Sequence, residues 1–548
     1  MASRLPDSSA FVTVHDAFRA SADAHPGAAF AAVPAKTGRE YYAQGHEITY
    51  GAALAQVEAL IAAYRAAGYG LGHRVALMLD NRPEHLLHFL ALNALGITQV
   101  PVNPDYLHHE LFYLLDHSEA DLAVVLPKHL ARMARVAAER AKPLPIVEAD
   151  VTIGPVPAAL SAPRAGAPDS GTEMALMYTS GTTGRPKGCI LDNYYGVNCG
   201  RAYLGYGGLL EMRDGAERLI NPLPLFHVNA GMISFVAMLL KAGCQIIPDR
   251  FHPATWWDDV LSTRATAMHY LGIMPPILMK QAPSARDREH QVRFGLGAGV
   301  DPTIHRAFEE RFGFPMVEVW GMTETGRLFA DAVEPRRIDT RAFGQPWGEF
   351  EGRIVDDEDN EVARDTPGEL VVRCAGPDPR RGFFRGYLKD PDATAKAWRG
   401  GWFHTGDVAT QGADGMFYFV ERRKNIIRRS CENISAAEVE NGILEHGAIA
   451  KVTALAIEDE LRDEEVMACI VLRPGHSSGR ETAEAIAAYG RERLAYFKVP
   501  GWIVFVDDLP LTSTQKVQKG LIFPTGTDPR QHAGAFDLRA SKKREKSA

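Results

Sequence analysis

Short apolar runs alternate with longer segments of helical period through the first 150 residues, and this constrains the fold more than any other feature. Residues 52–67 repeat apolar positions at helical spacing and stop at Gly68 and Gly70. Residues 74–79 (RVALML) follow as an apolar strand, 83–95 as a helix, 99–102 as a second strand and 121–126 (DLAVVL) as a third. Such alternation predicts parallel sheet layers covered by helices. A stretch rich in Pro, Ala, Gly and Ser at 154–171 reads as a loop, and the alternation resumes from Met174 to about Pro315. Beyond Glu349 the strands shorten, with candidates at 353–355, 368–372 and 415–420 separated by turn signals. After Arg422 a smaller αβ unit begins, with a helix near 436–444 and strands near 452–457 and 466–472. At 548 residues the chain exceeds what one core serves, and the change of texture places a domain boundary near Lys424.

Composition excludes several classes. Lys plus Arg number 60 against 68 Asp plus Glu, a net charge of −8, so there is no global electrostatic case for nucleic acid. The one basic cluster, 542–546 (KKREK), reads as a solvated, frayed terminus. Cysteines at 189, 199, 244, 374, 431 and 469 form no C-x-x-C pair, which argues against a zinc site or disulfide scaffold and for a reducing compartment. The opening residues lack an apolar stretch of signal-peptide type, and runs such as 235–240 fall far short of the ~20 residues that span a bilayer. A cytoplasmic protein with no membrane span is expected.

The residues that carry chemistry begin at 179–188, TSGTTGRPKG, directly after a strand at 174–178. Gly181, Gly184 and Gly188 permit turns that expose backbone N–H groups. Thr179, Ser180, Thr182 and Thr183 offer hydroxyls, and Lys187 adds positive charge. The set suits a triphosphate cradle. It is not a Walker loop, since Lys187 follows Pro186 and precedes Gly188, and composition alone also fits an ordinary surface loop.

As a whole, TSGTTGRPKG closely resembles the signature of the adenylate-forming superfamily of acyl-CoA synthetases, luciferases and peptide-synthetase adenylation domains. Further segments follow in that family's order: PLPLFHVNAG at 222–231, GAG at 297–299, WGMTE at 320–324, GWFHTGD at 401–407, ERRK at 421–424, ENISAAEVE at 432–440 and FKVP at 497–500. The resemblance runs from about Ile48 to Phe523. Residues 417–435 look most like crotonobetaine/carnitine–CoA ligases. Pattern and resemblance together predict an α/β protein: a large N-terminal adenylation domain (1–424) of αβ sheet layers plus a small β-barrel-like part, then a small mobile α+β domain (425–548). A disordered tail is expected from about 525.

The resemblance implies an ATP-dependent carboxylic acid–CoA ligase that forms acyl-AMP and pyrophosphate, then acyl-CoA and AMP, on a small or medium acid. Its partners would be that acid, ATP, Mg²⁺ and CoA, and the chain a monomer or homodimer. Thr179, Ser180, Gly181, Thr182, Thr183, Gly184 and Lys187 would hold the phosphates. Gly297, Ala298, Gly299, Glu318, Val319, Trp320, Gly321, Met322, Thr323 and Phe419 would bind ATP or AMP, with Trp320 against the adenine, Asp407 accepting the ribose hydroxyls and Arg422 approaching the ribose or phosphate from the hinge. Two anions must meet in adenylation, so charge neutralisation matters more than covalent help. Glu324 is the expected Mg²⁺ ligand, with Thr323 at the α-phosphate. The acyl pocket would be lined by His227, Val228, Asn229, Gly231, Met274, Gly297 and Met322; His227 is a wall or gate, because carboxylic acids are already ionised at pH 7. The small domain would turn about Lys424. In one orientation it brings Lys516 to the carboxylate and phosphate, and in the other Ser430, Cys431 and Glu432 line the pantetheine tunnel. The chain departs from the common pattern at Gln515 and at Ser430-Cys431, where many members carry glycine. Loading of a carrier protein in trans, or nucleotide binding by a degenerate homologue, are the alternatives.

Overall fold

A computed structural model describes residues 10–36, 39–179, 186–422, 426–430, 432–510, 517–524 and 526–542, the side chains of 421 and 422 excepted. The chain divides into two compact units: Met1–Pro104, Ser118–Met177 and Gly188–Glu421 in the first, and Asp105–His117, Tyr178–Lys187 and Arg422–Ala548 in the second.

The apolar runs form the expected parallel layers. One seven-stranded sheet has the order Gly386–Tyr387, Lys187–Asp192, Glu173–Thr179, Thr98–Pro101, Arg74–Met78, Leu122–Val125 and Ile146–Glu148. Its strands from Glu173–Thr179 to Ile146–Glu148 pair in parallel. Helix Pro83–Ala94 starts with proline at a position where no intrahelical N–H bond is lost, and it is buried on every side, as its nearly continuous apolar sequence requires.

The second sheet has thirteen strands. Its parallel half runs Met316–Gly321, Phe294–Ala298, Ala267–Leu271, Arg218–Ile220, Cys244–Ile246 and Ala29–Val33, closed at the edge by antiparallel His46–Thr49. Beyond Met316–Gly321 it continues through Leu328–Ala330, Ala342–Pro346, Phe417–Arg422, Phe403–Gln411, Gly368–Cys374 and Phe350–Val355, largely antiparallel. The shorter strands and turn signals after Glu349 therefore mark an antiparallel arm. Helix Pro302–Phe312, capped by Asp301 and stopped by Gly313 at φ +82°, connects two of the parallel strands. Cys189, Cys199, Cys244, Cys374 and Cys469 are buried free thiols, and burial pushes Cys199, Cys244 and Cys469 up to about 12.

In the second unit the sheet order is Glu432–Ser435, Ile426–Arg429, Asp463–Leu472, Trp502–Phe505 and Ala535–Asp537, with Ile449–Asp459 also paired to Asp463–Leu472. Helices Ala436–Leu444 and Arg480–Arg491 contribute apolar faces to its core. Lys498, from the FKVP segment, is buried between Glu110 (2.6 Å) and Glu438 (2.5 Å), a cation compensated by two carboxylates.

One expectation is corrected. The tail read as disordered from about 525 is ordered over 526–542, and the side chain of Lys542, read as part of a solvated terminus, is buried. Phe536 and Leu538, one strand period apart, pack on the apolar core of this unit and pull the segment down as a strand against Trp502–Phe505. Among the described residues no helix is long and apolar enough to cross a membrane.

Candidate active site

Ligands of α/β sheets bind beyond the carboxyl ends of the strands, and there segments 222–231, 297–299 and 320–324 of the first unit lie. Strands Ala267–Leu271, Phe294–Ala298 and Met316–Gly321 place Tyr270, Gly297 and Glu318 side by side. A Cβ on Gly297 would sit 2.2 Å from the Tyr270 carbonyl oxygen, so only glycine allows this approach. Glu318 does not point both oxygens at a ligand: it accepts from Tyr270 Oη (2.6 Å) and from the N–H groups of Gly299 (2.7 Å) and Val300 (3.2 Å). Burial raises its pKa, against the pull of these bonds. Glu318 is thus a clamp that shapes the Gly297–Ala298–Gly299 turn. Val319 belongs to the core, and the backbone of Gly321 pairs with Leu328.

Thr323 and Glu324 occupy the turn that follows Met316–Gly321. Tyr195 Oη donates to the Thr323 carbonyl (2.6 Å), and the Phe384 N–H to that of Glu324 (2.9 Å). Glu324 is only 6% exposed, and Tyr387 Oη donates to its Oε1 (2.9 Å). Burial, and then the adjacent carboxylate, raises the Tyr387 phenol well above its usual value, so it stays a donor. No group of three or more His, Cys, Asp or Glu side chains is gathered for a metal among the described residues. A single buried carboxylate is still the donor set that suits Mg²⁺, which completes its shell with phosphate oxygens and water. No sequence pattern singles out Tyr387, whose partner Glu324 lies 63 positions away.

Trp320 is a buried core residue, packed edge-on against Phe329 at 5.4 Å between ring centres. Its indole N–H donates to Asp407 Oδ2 (2.9 Å). The Asp407 N–H in turn donates to Thr405 Oγ1 (3.1 Å), while Glu369 receives the Gly406 N–H (2.9 Å). Trp320 therefore orients the carboxylate expected to take the ribose hydroxyls. Removing one hydrogen bond to a charged group costs about 1.5–3 kcal/mol. Trp320→Phe keeps the aromatic packing and is expected to raise the KM for ATP roughly tenfold or more, with the KM for the acid little changed. Steady-state kinetics varying each substrate in turn would check this, and equal KM values for ATP would refute the orienting role.

Segment 222–231 ends in a short π-helical turn, Asn229–Ile233, a form often found at functional sites. His227 and Val228 are half-buried, and the His227 ring packs on Phe226. Asn229 is turned inward: its Oδ1 meets Asn221 Nδ2 (2.9 Å) and His269 Nδ1 (2.7 Å), and His269 Nε2 meets Tyr203 Oη (3.0 Å). Burial lowers the His269 pKa to about 3, which keeps the ring neutral. His269 was not singled out from the sequence, because a lone histidine within an apolar strand carries no motif. Gly231 donates its N–H to the His227 carbonyl (2.9 Å). Met274 is buried at the start of helix Met274–Met279, packed in the core with Trp256, Tyr270 and Leu278, whereas Met322 is half-buried. Phe419, half-buried, donates its N–H to the Arg341 carbonyl (2.9 Å).

Thr179 ends strand Glu173–Thr179, and Lys187 begins strand Lys187–Asp192; both are half-buried. The loop between them, with Ser180, Gly181, Thr182, Thr183 and Gly184, lies outside the described residues, as do Lys424, Cys431, Gln515, Lys516 and the Arg422 side chain. Ser430 takes a left-handed φ of +57° at the end of strand Ile426–Arg429, a conformation that favours glycine, and Glu432 opens strand Glu432–Ser435.

Residues 18–388 match the family model described as AMP-binding enzyme, and 438–516 match the AMP-binding enzyme C-terminal domain. The chain is 30% identical over 476 residues to a crotonobetaine/carnitine–CoA ligase of Salmonella arizonae, covering 82% of this chain and 88% of that protein. It is 30% identical over 495 residues to a sulfoacetate–CoA ligase of Cupriavidus necator, covering 87% and 92%. The fold is shared with o-succinylbenzoate CoA synthetase from Bacillus subtilis bound to a product analogue: TM-score 0.78, 21% identity, 92% of this chain and 98% of that one. ATP-bound MatB from Rhodopseudomonas palustris has a TM-score of 0.63 at 24% identity, over 92% and 97%. Family models covering both parts of the chain, and relatives matched along most of their length, leave one assignment: the chain belongs to the AMP-binding enzyme family.

Proposed function

We propose that this chain activates a small or medium carboxylic acid as its acyl-adenylate and passes the acyl group to the thiol of CoA. The chain is an AMP-forming acid–CoA ligase that uses ATP and CoA. The relatives named for crotonobetaine/carnitine and for sulfoacetate favour an acid of that size. The single observation behind the site reading is the Glu324 carboxylate, buried beyond the carboxyl ends of the parallel strands with one oxygen steadied by Tyr387. Glu324 would hold Mg²⁺, which neutralises charge where the two anions meet. Thr323 would steady the α-phosphate, Thr179 and Lys187 would draw the leaving phosphates, and Asp407 would receive the ribose hydroxyls. No general base is needed, and His269, neutral and hydrogen-bonded at both nitrogens, holds the acyl segment in place.

In the same reading residues 1–424 perform adenylation, and 425–548 form a mobile domain hinged at Lys424 that carries Lys516 for the first half-reaction. Ser430, Cys431 and Glu432 line the thiol's path in the second. The enzyme works in the cytoplasm as a monomer or homodimer.

Mass spectrometry of products from ATP, a panel of acids and either CoA or a holo-carrier protein tests the proposal. Acyl-CoA from a small or medium acid is the expected product. Acylation of the carrier alone, or adenylate that goes no further, would overturn it.

A further inference from the structure

Residues 526–542 lie along the small sheet as a strap, and the last described residue is its anchor. Ala535–Asp537 adds antiparallel to Trp502–Phe505, with Phe536 opposite Ile503. The Leu538 N–H donates to the Gly501 carbonyl (2.8 Å). Arg539 grips Asp537 (2.7 Å) and reaches Asp459 (2.9 Å). Beyond it the chain turns inward. The Lys542 ammonium lies 2.5 Å from Glu465 Oε1 and 3.2 Å from the Phe497 carbonyl, with its side chain 1% exposed.

Glu465 is equally buried, and its other oxygen accepts from Arg429 Nε at 2.8 Å. Room for this carboxylate depends on Gly501, where a Cβ would lie 2.6 Å from Glu465 Cδ. Arg429 is the last residue of strand Ile426–Arg429, directly before the left-handed Ser430, whose N–H donates to the Arg462 carbonyl (2.7 Å). Arg429 also pairs across the hairpin with Glu432. A buried chain of charges, cation–carboxylate–cation, therefore links the C-terminal strap to the end of strand Ile426–Arg429, next to Ser430.

The arrangement is costly as a stability device. Burial, and next the Arg429 charge, lowers the Lys542 pKa to about 7, and Glu465 already has a cation in Arg429. What the second cation adds is position: Glu465 is held from both sides and cannot follow Arg429 if the hairpin shifts. From this geometry we infer that Lys542 is a positioning residue for the CoA half-reaction, holding the 426–435 hairpin through Glu465 and Arg429. The inference rests on the proposed role of that hairpin in receiving the thiol.

The test uses the full chain with Lys542→Met, which removes the charge and keeps the length, and Gly501→Ala, whose added methyl would crowd the Glu465 carboxyl. Three quantities are measured: amide hydrogen exchange over 426–435, ATP–pyrophosphate exchange with the acid, and the KM for CoA in thioester formation. Both variants are expected to speed exchange in the hairpin at least tenfold and to raise the KM for CoA three- to tenfold. Pyrophosphate exchange should stay within twofold of wild type, and so should exchange in helix Arg480–Arg491, which controls for general unfolding. Unchanged hairpin exchange in Lys542→Met would overturn the positioning role. Faster hairpin exchange with an unaltered KM for CoA would overturn the link to CoA, while acyl-CoA made by the wild-type enzyme would leave the ligase reading standing.

Discussion

Replacing Lys516 with alanine is expected to lower acyl-adenylate synthesis from ATP and free acid by roughly 10²-fold or more, the scale of losing one preorganised charge at a transition state. A carboxylate and a triphosphate repel each other, and negative charge builds on the phosphate oxygens as they join; an ammonium at that point acts on the barrier itself. Thioester formation asks for something different. The acyl carbonyl is already activated as a mixed anhydride, and a thiol has only to reach it. Supplied with synthetic acyl-adenylate and CoA, Lys516→Ala should therefore make thioester at close to the wild-type rate. Rapid-quench measurement of the two half-reactions separates these outcomes. Equal slowing of both would mean that Lys516 is a structural or general anion-binding residue.

Glu324→Gln is expected to lower adenylation by on the order of 10²–10³-fold, the usual effect of removing one strong transition-state contact. The amide is nearly isosteric and can still accept from the Tyr387 phenol, whose oxygen lies 2.9 Å from Oε1. The loss would thus report on charge and metal affinity rather than on the turn's shape. Tyr387→Phe should cost far less, because it removes an orienting bond and leaves the carboxylate. Pyrophosphate exchange across a Mg²⁺ titration is the decisive measurement. Glu324→Gln within threefold of wild type at saturating Mg²⁺ would remove this residue from the metal site.

Much of the fold was legible because it rests on local pattern. RVALML and DLAVVL are apolar on both faces and became inner strands of a parallel sheet, Arg74–Met78 and Leu122–Val125. The change of texture after Glu349 marked the antiparallel arm, and ENISAAEVE marked a strand followed by a helix. Hidden from the sequence were the pairings that give these residues their jobs. Glu318 faces Tyr270, Trp320 faces Asp407 and Glu324 faces Tyr387, each partner between 48 and 87 positions away. Residue type alone could not distinguish a ligand contact from a clamp. Glu318 and Trp320 were expected as nucleotide contacts; the structure adds that both direct polar atoms at other protein groups. Lys542 shows the same limit: a run of basic residues is normally solvated, and only the alignment of Glu465 and Gly501 gives this one a buried place.

An enzyme that manufactures a mixed anhydride keeps an electrophile inside itself until the proper thiol arrives. Its own sulfur atoms are rivals for that acyl group. Cys189, Cys199, Cys244, Cys374 and Cys469 all sit in apolar cores, and for three of them burial holds the thiol near 12. At neutral pH such groups are ionised far less than an ordinary exposed thiol. The same packing that fills the core thus withdraws these five positions from the adenylate, and of the six cysteines only Cys431, on the proposed path of the thiol, lies outside that set.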